Sequence, residues 1–369
     1  MSTSRINYVN NYLNELSLSK EILSYYKDKN ILITGGAGAI GSNLLIGLSN
    51  LVGQKGRIII LDNLSSIKYP EPWNVESLSN VIFVFGDIRN DIDLKRVFHY
   101  PIDIVFHLAA FFANQNSIDY PETAAEVDII GLIKTLEYSL LSKVKRFVYA
   151  SSGCAIYGSY PKLPLLEDFI SMHLTTPYQI NKMTGEMICN FYYHQYTLNT
   201  VNCRFFNSYG PGEVPGQYRN VIPNFIYWSL QGIDIPITGT GEETRDFTYV
   251  LDLVQGLIKA GYYENAIGEN FNLASATETR IIDLAHKIIE YTGNKSSIKF
   301  LSRRKWDTKP RLLAAIGKAK KLIDYKPLVD FETGLRSNIN WFEENWDSIC
   351  EYADFKPGLS SALEVDVTK

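Results

Sequence analysis

Cysteine is scarce: 369 residues hold four, Cys154, Cys189, Cys203 and Cys350, and none sits at C-x-x-C spacing. That scatter argues against a structural zinc site or a disulfide frame and points to a reducing, cytoplasmic setting. No apolar run approaches the roughly 18–20 residues that cross a bilayer. The opening stretch, MSTSRINYVNNYLNELSLSKEILSYY, is polar and mixed in charge, unlike a targeting segment. Positive charge is not in surplus: the formal net charge is −4 and no long Lys/Arg run occurs. Nucleic acid and other extended polyanions are therefore excluded as partners. A small phosphorylated ligand stays open, because it needs a local site and not a global field. Fixed-period repeats are also missing, which excludes a solenoid or propeller.

What is present is an ordinary globular composition, 46% hydrophobic and 21% charged, with enough chain for a large core. Residues 1–28 read as a helical extension to which no chemistry is assigned. From Asn30 the pattern changes. ILIT is followed at once by GGAGAIGSNLLIGLSNLV, a buried strand, a glycine turn and an amphipathic helix. The runs GRIIILD, VIFVFGD, IDIVFHLAA and KRFVYASS follow, with helical patterns between some of them. Continuous apolar strands alternating with helices predict an α/β fold, a doubly wound parallel sheet of the Rossmann type. The pattern places this domain at 29–210, with a closing strand near Thr200–Arg204 and a return segment from the C-terminal half. A smaller mixed α/β lobe for substrate spans 211–350, and 351–369 is a tail.

Gly35, Gly38 and Gly41, with Ala39 and Ile40 before the last of them, form G-x-x-G-x-x-G between a strand and a helix. Glycines there let backbone N–H groups approach a pyrophosphate at the positive end of the helix. Asp62, followed by Asn63, ends the next strand, where a carboxylate accepts ribose hydroxyls and repels a 2′-phosphate. The expected cofactor is NAD.

PYQINKMTGE sets Tyr178 and Lys182 four residues apart on one helix face. A phenol is a poor base at neutral pH, and a nearby ammonium favours its ionised form. The tyrosine then takes a proton from a sugar alcohol as a nicotinamide is reduced.

With TGGAGAIG, LDNLSS, FGDIRN, HLAA, SSGCAIYG, YQINK, RFFNSYGPG and RDFTYVLD in this order, the chain resembles the extended short-chain dehydrogenase/reductases, in the group of nucleotide-sugar epimerases and dehydratases typified by UDP-glucose 4-epimerase. The resemblance covers roughly Lys29 to Phe342. It implies that Asp87 and Ile88 flank the adenine and that Leu108, Ala109 and Ala110 line the cofactor cleft. It implies that Asn207 contacts the phosphosugar, that Arg245 meets the diphosphate or the nucleotide ribose, that Arg304 clamps the diphosphate, and that Asp307 binds a ribose. It implies a homodimer made by two helices per subunit and a nucleotide-diphosphate sugar as substrate. The family's Asn-x-x-Gly is Asp128-Ile-Ile-Gly131 here, a change expected to be neutral to mildly unusual. Asn114, Gln115, Asn116 and Ser117 could reach sugar or cofactor, and Arg311 could lie near the hexose and suit an acidic sugar.

SSGCAIYG decides which hydroxyl and which reaction. The family's usual Ser/Thr position is Gly153, so the hydroxyl is assigned to Ser152, with Ser151 as fallback. Related sugar 4,6-dehydratases carry an acidic pair at the positions of Cys154 and Ala155, and related decarboxylases carry a glutamate at the second. Without those acids, epimerisation at C4 by transient oxidation leads. A C3/C5 epimerase using the thiol of Cys154 as acid/base is the rival, and no partner lysine is assigned. The motifs also admit a net nucleotide-sugar dehydrogenase or 4-ketoreductase, and a non-enzymatic nucleotide-binding protein on the same fold. No metal is expected.

Overall fold

The computed structural model describes residues 5–66, 78–160 and 162–353. Seven parallel strands form its central sheet: β1 (Asn30–Thr34), β2 (Arg57–Asp62), β3 (Val81–Phe85), β4 (Ile104–His107), β5 (Arg146–Ser152), β6 (Thr200–Phe205) and a last strand, Asn270–Leu273. Across the sheet the order is Asn270–Leu273, β6, β5, β4, β1, β2, β3, which is the doubly wound Rossmann arrangement.

Successive side chains of a strand point to opposite faces, so a continuous apolar run feeds two cores. Ile31 and Ile33 of β1 enter one core, while Leu32 enters the other, with Ile59 and Phe147. At the open edge β3 needs only one covered face, and Phe85 is 62% exposed.

Ahead of β1 stand two helices, Arg5–Leu16 and Lys20–Tyr26. They are built into the larger core through Val9, Tyr12, Ile22 and Tyr26. Their polar groups are satisfied there too: the Tyr26 hydroxyl donates to the Ile258 carbonyl at 2.6 Å, and that of Tyr12 to Asp252 Oδ1 at 2.6 Å. Short two-stranded pairings in the C-terminal half, such as Ile235–Thr238 with Ile298–Leu301, carry the far wall of a cleft. The chain from 354 onward, most of the tail read at 351–369, lies outside the described residues.

Strand order reverses between β1 and β4. Loops leaving the carboxyl ends of these two strands diverge there, and the crevice between them is where ligands of such sheets bind. The cleft opens at this point.

Candidate active site

The cleft has a volume of about 430 Å³ and runs from the glycine turn to the C-terminal half. The residues assigned from the sequence to catalysis, cofactor and substrate all line it, with Gly35 and Asp62 at one end and Arg304 and Asp307 at the other.

Gly35 takes φ +71°, and a Cβ there would stand 2.6 Å from the Ala109 nitrogen. Only glycine lets the turn lie flat on the end of β4. Gly38 then caps the helix Ala39–Val52 with no side chain, leaving the first-turn amides turned to the cleft mouth. Asp62 holds the turn from below, accepting the Ala37 N–H at 2.9 Å and the Leu64 N–H at 2.8 Å, and burial raises its carboxyl. Asn63 donates to Asp87 at 2.8 Å, which Arg89 also grips. A bare helix N-terminus beside a strand-end carboxylate fits the pyrophosphate and ribose of NAD.

Thr176 caps the helix Pro177–Tyr196, accepting the Gln179 N–H at 3.3 Å, with proline at its first position. This start aims Tyr178 and Lys182 from one helix face into the cleft. Ser152 lines the same cleft and lowers the Tyr178 phenol, against the effect of burial. Ser151, one residue earlier on β5, faces the other way and donates to Glu186. The Gly153 position cannot supply a hydroxyl, since any Cβ would meet the Phe206 ring at 2.0 Å.

Burial pushes the Tyr178 phenol up, and the Asp128 carboxylate pushes it further the same way, while Ser152 lowers it. The ammonium stands 5.8 Å from the phenol ring centroid and donates to the Ala150 carbonyl at 2.8 Å.

In the C-terminal half, Arg245 donates to Asp307 at 2.9 Å and to the carbonyls of Thr244 and Lys309 at 2.8 and 3.1 Å. Asp307, expected to bind a ribose, holds Arg245 through Oδ1 and lines the cleft. Arg304 lies over the Trp306 ring at 5.1 Å. Arg311 does not line the cleft; it is exposed and paired with Glu278. Asn114 and Gln115 line the cleft, whereas Asn116 and Ser117 are spent on local carbonyls, and Ser117 also accepts the Tyr178 N–H at 3.0 Å.

Two groups not singled out from the sequence complete the walls. The Lys309 ammonium, buried, donates to the carbonyl of Cys154, whose thiol donates to Asn207 Oδ1 at 3.0 Å. Burial draws that lysine down to about 8 and holds the thiol up. Glu213 is buried too, pushed up to about 7, and accepts from Asn220 at 2.8 Å. Its segment straps the cleft mouth, with Tyr218 bonded to Asp119 and Arg219 to the Ser66 carbonyl. The GPGE and WDTKP motifs hold both residues, yet nothing local says where they point.

Known proteins match the chain over most of its length. A UDP-glucose 4-epimerase of Mycolicibacterium smegmatis is 30% identical over 312 residues, 84% of this chain and 97% of that one. A solved epimerase from Methanothermobacter thermautotrophicus superposes with a TM-score of 0.87 at 50% identity, covering 90% of this chain and 98% of that chain. The UDP-glucuronic acid 4-epimerase of Bacillus cereus, solved with UDP-glucuronic acid and NAD, gives 0.77 at 27% identity over 85% and 99%. Residues 31–274 match the NAD dependent epimerase/dehydratase family, and the chain, an NAD-dependent enzyme of nucleotide sugars, belongs to it.

Proposed function

We propose that this enzyme is a nucleotide-sugar 4-epimerase: it oxidises the sugar at C4, lets the ketone turn over in the cleft and reduces it from the other face. One observation carries this reading. The two positions at which related dehydratases carry an acidic pair are Cys154, whose thiol faces the cleft and donates to Asn207, and Ala155, which is buried. With no acid at either position, the pair that related dehydratases use to expel water across C5 and C6 is missing.

Held by the glycine turn at Gly35–Gly41 and by Asp62, NAD would supply a reversible hydride acceptor for C4 and a positive charge that favours the phenolate. The chain's residues do the rest. Tyr178 takes the proton of the C4 hydroxyl and gives it back, while Ser152 bridges phenol and sugar oxygen. Lys182 holds its charge next to both. Arg245 and Arg304 grip the diphosphate, and Asn207 meets the phosphosugar.

A second reading has its own support. The Cys154–Lys309 adjacency brings a thiol and an ammonium to one wall, the pair that a C3/C5 epimerase needs to take a proton from carbon and return one.

Heavy water separates the two. The NAD-loaded protein is incubated with UDP-hexoses and UDP-hexuronates, and the product is followed by NMR. Inversion at C4 with no deuterium on carbon is expected; deuterium at C3 or C5 selects the second reading. Continuous accumulation of reduced cofactor would overturn both.

The working form in this proposal is a cytoplasmic homodimer. Ile130, Leu141, Met187 and Phe191 are about half exposed or more on the helical face formed by 126–141 and 177–196, which supports pairing there.

A further inference from the structure

Behind the catalytic helix lies a carboxylate that the proposed proton transfer does not use. Asp128 belongs to one turn of π-helix, Glu126–Gly131, and is 3% exposed. Such a turn pushes one residue out of the regular helical register. Here it delivers the Asp128 carboxyl to the end of β4, where Oδ1 accepts the Phe111 N–H at 2.8 Å. Oδ2 accepts from the Asn181 amide at 3.3 Å, and Asn181 is the residue before Lys182. The carboxylate is thus pinned at two points, one on each wall of the catalytic helix's seat.

Lys182 has a difficult setting. Its ammonium is buried, its hydrogen bond goes to the neutral carbonyl of Ala150, and it lies 5.1 Å from the Tyr149 ring centroid. A cation enclosed in this way gives up its proton unless a fixed anion stands close. We propose that Asp128 is that anion, a positioning residue acting through Lys182 to set the charge state of the Tyr178–Lys182 pair. This rests on the reading in which Tyr178 is the base.

The surrounding charges agree. Burial lowers Lys182, and Asp128 opposes it most strongly, ahead of Cys189 and Glu186. Tyr178 is raised by burial, then by Asp128 and Cys154, and lowered by Ser152. Lys182 in turn favours the ionised form of Asp128, whose carboxyl burial raises. His107, on β4, is held neutral by burial, drawn down to about 3. Asp128 therefore does two opposed things at once. It keeps the lysine charged, and it makes the phenol harder to ionise. An asparagine, the residue that the family resemblance leads one to expect here, keeps the Phe111 bond and does neither.

The test is Asp128→Asn. The new amide still accepts the Phe111 N–H, and the Asn181 amide can turn over to accept from it. The pH profile of kcat/KM is measured for NAD-loaded wild type and variant, with thermal melting to verify the fold. Loss of the anion lowers the pKa of phenol and ammonium together, so both limbs move towards acid by about one pH unit. Limbs that stay in place in a folded variant overturn the proposal. Asp128→Ser, also uncharged, takes over if the asparagine variant fails to melt cooperatively. Tyr178→Phe is run in parallel: full turnover in that variant rejects the base assignment itself, whereas an inactive Tyr178→Phe with unmoved Asp128→Asn limbs rejects only the role of Asp128.

Discussion

Lys309 donates its ammonium hydrogen bond to the carbonyl of Cys154. The contact ties the C-terminal half of the chain to the end of β5, next to Ser152 and Tyr178, and it leaves a buried cation facing the cleft. A buried ammonium favours a ligand that brings an anion. Lys309→Met is expected to raise KM for UDP-hexuronates about tenfold or more while changing it less for neutral UDP-hexoses. Steady-state kinetics with both substrate classes checks this, and equal losses would count against an acidic sugar.

Tyr178→Phe removes the proposed proton acceptor and keeps the ring that packs edge-on against Phe112 at 5.9 Å. Turnover is expected to fall between roughly a hundredfold and ten-thousandfold, the usual worth of a positioned acid/base. NAD stays bound, because the turn at Gly35 is untouched. Cofactor content after gel filtration, measured beside the rate, distinguishes this from a damaged site.

Glu213 gives a pH dependence with a definite sign. Its carboxyl, ordinarily near 4.5, keeps its proton in the folded protein up to about 7. As pH rises through 7 an anion forms inside the cleft, so NAD, itself anionic at its diphosphate, should bind severalfold more weakly at pH 8 than at pH 6. Linkage requires the fold to lose stability as pH rises from 4.5 to about 7, where the folded state holds a proton that the unfolded chain has released. Glu213→Gln should flatten both trends, read by calorimetric titration and by melting.

Glu186 and Arg204 form a buried ion pair at 2.8 Å, with side chains 6% and 1% exposed. Burying two charges gains little in itself, but breaking such a pair strands the survivor. Glu186→Gln is expected to cost about 3–5 kcal/mol, measured by urea unfolding, because Arg204 keeps its charge and loses the carboxylate that grips it.

Phe191→Glu sets a charge among the exposed apolar residues of the two outer helices. If those helices pair two copies, sedimentation should change from dimer to monomer while the melting temperature of the monomer changes little. A wild type that already sediments as a monomer would end the dimer proposal.

The sequence by itself determined whatever depends on neighbours along the chain. Ile31 to Thr34 had to be a covered strand, Gly35 had to turn, and Tyr178 and Lys182 had to share a helix face, since periodicity and steric freedom are local properties. Tertiary packing decided the rest. Lys309 reaches Cys154 across 155 positions, Ser151 turns to Glu186 while Ser152 lines the cleft with Tyr178, and Asp128 is brought by a π-turn to the Phe111 N–H and to Asn181. The N-terminal helices, polar enough to read as an extension, fill the core through Val9, Tyr12, Ile22 and Tyr26. None of these contacts has a local signature, because each is fixed by which apolar faces close on one another and by where that closure leaves a charge without water.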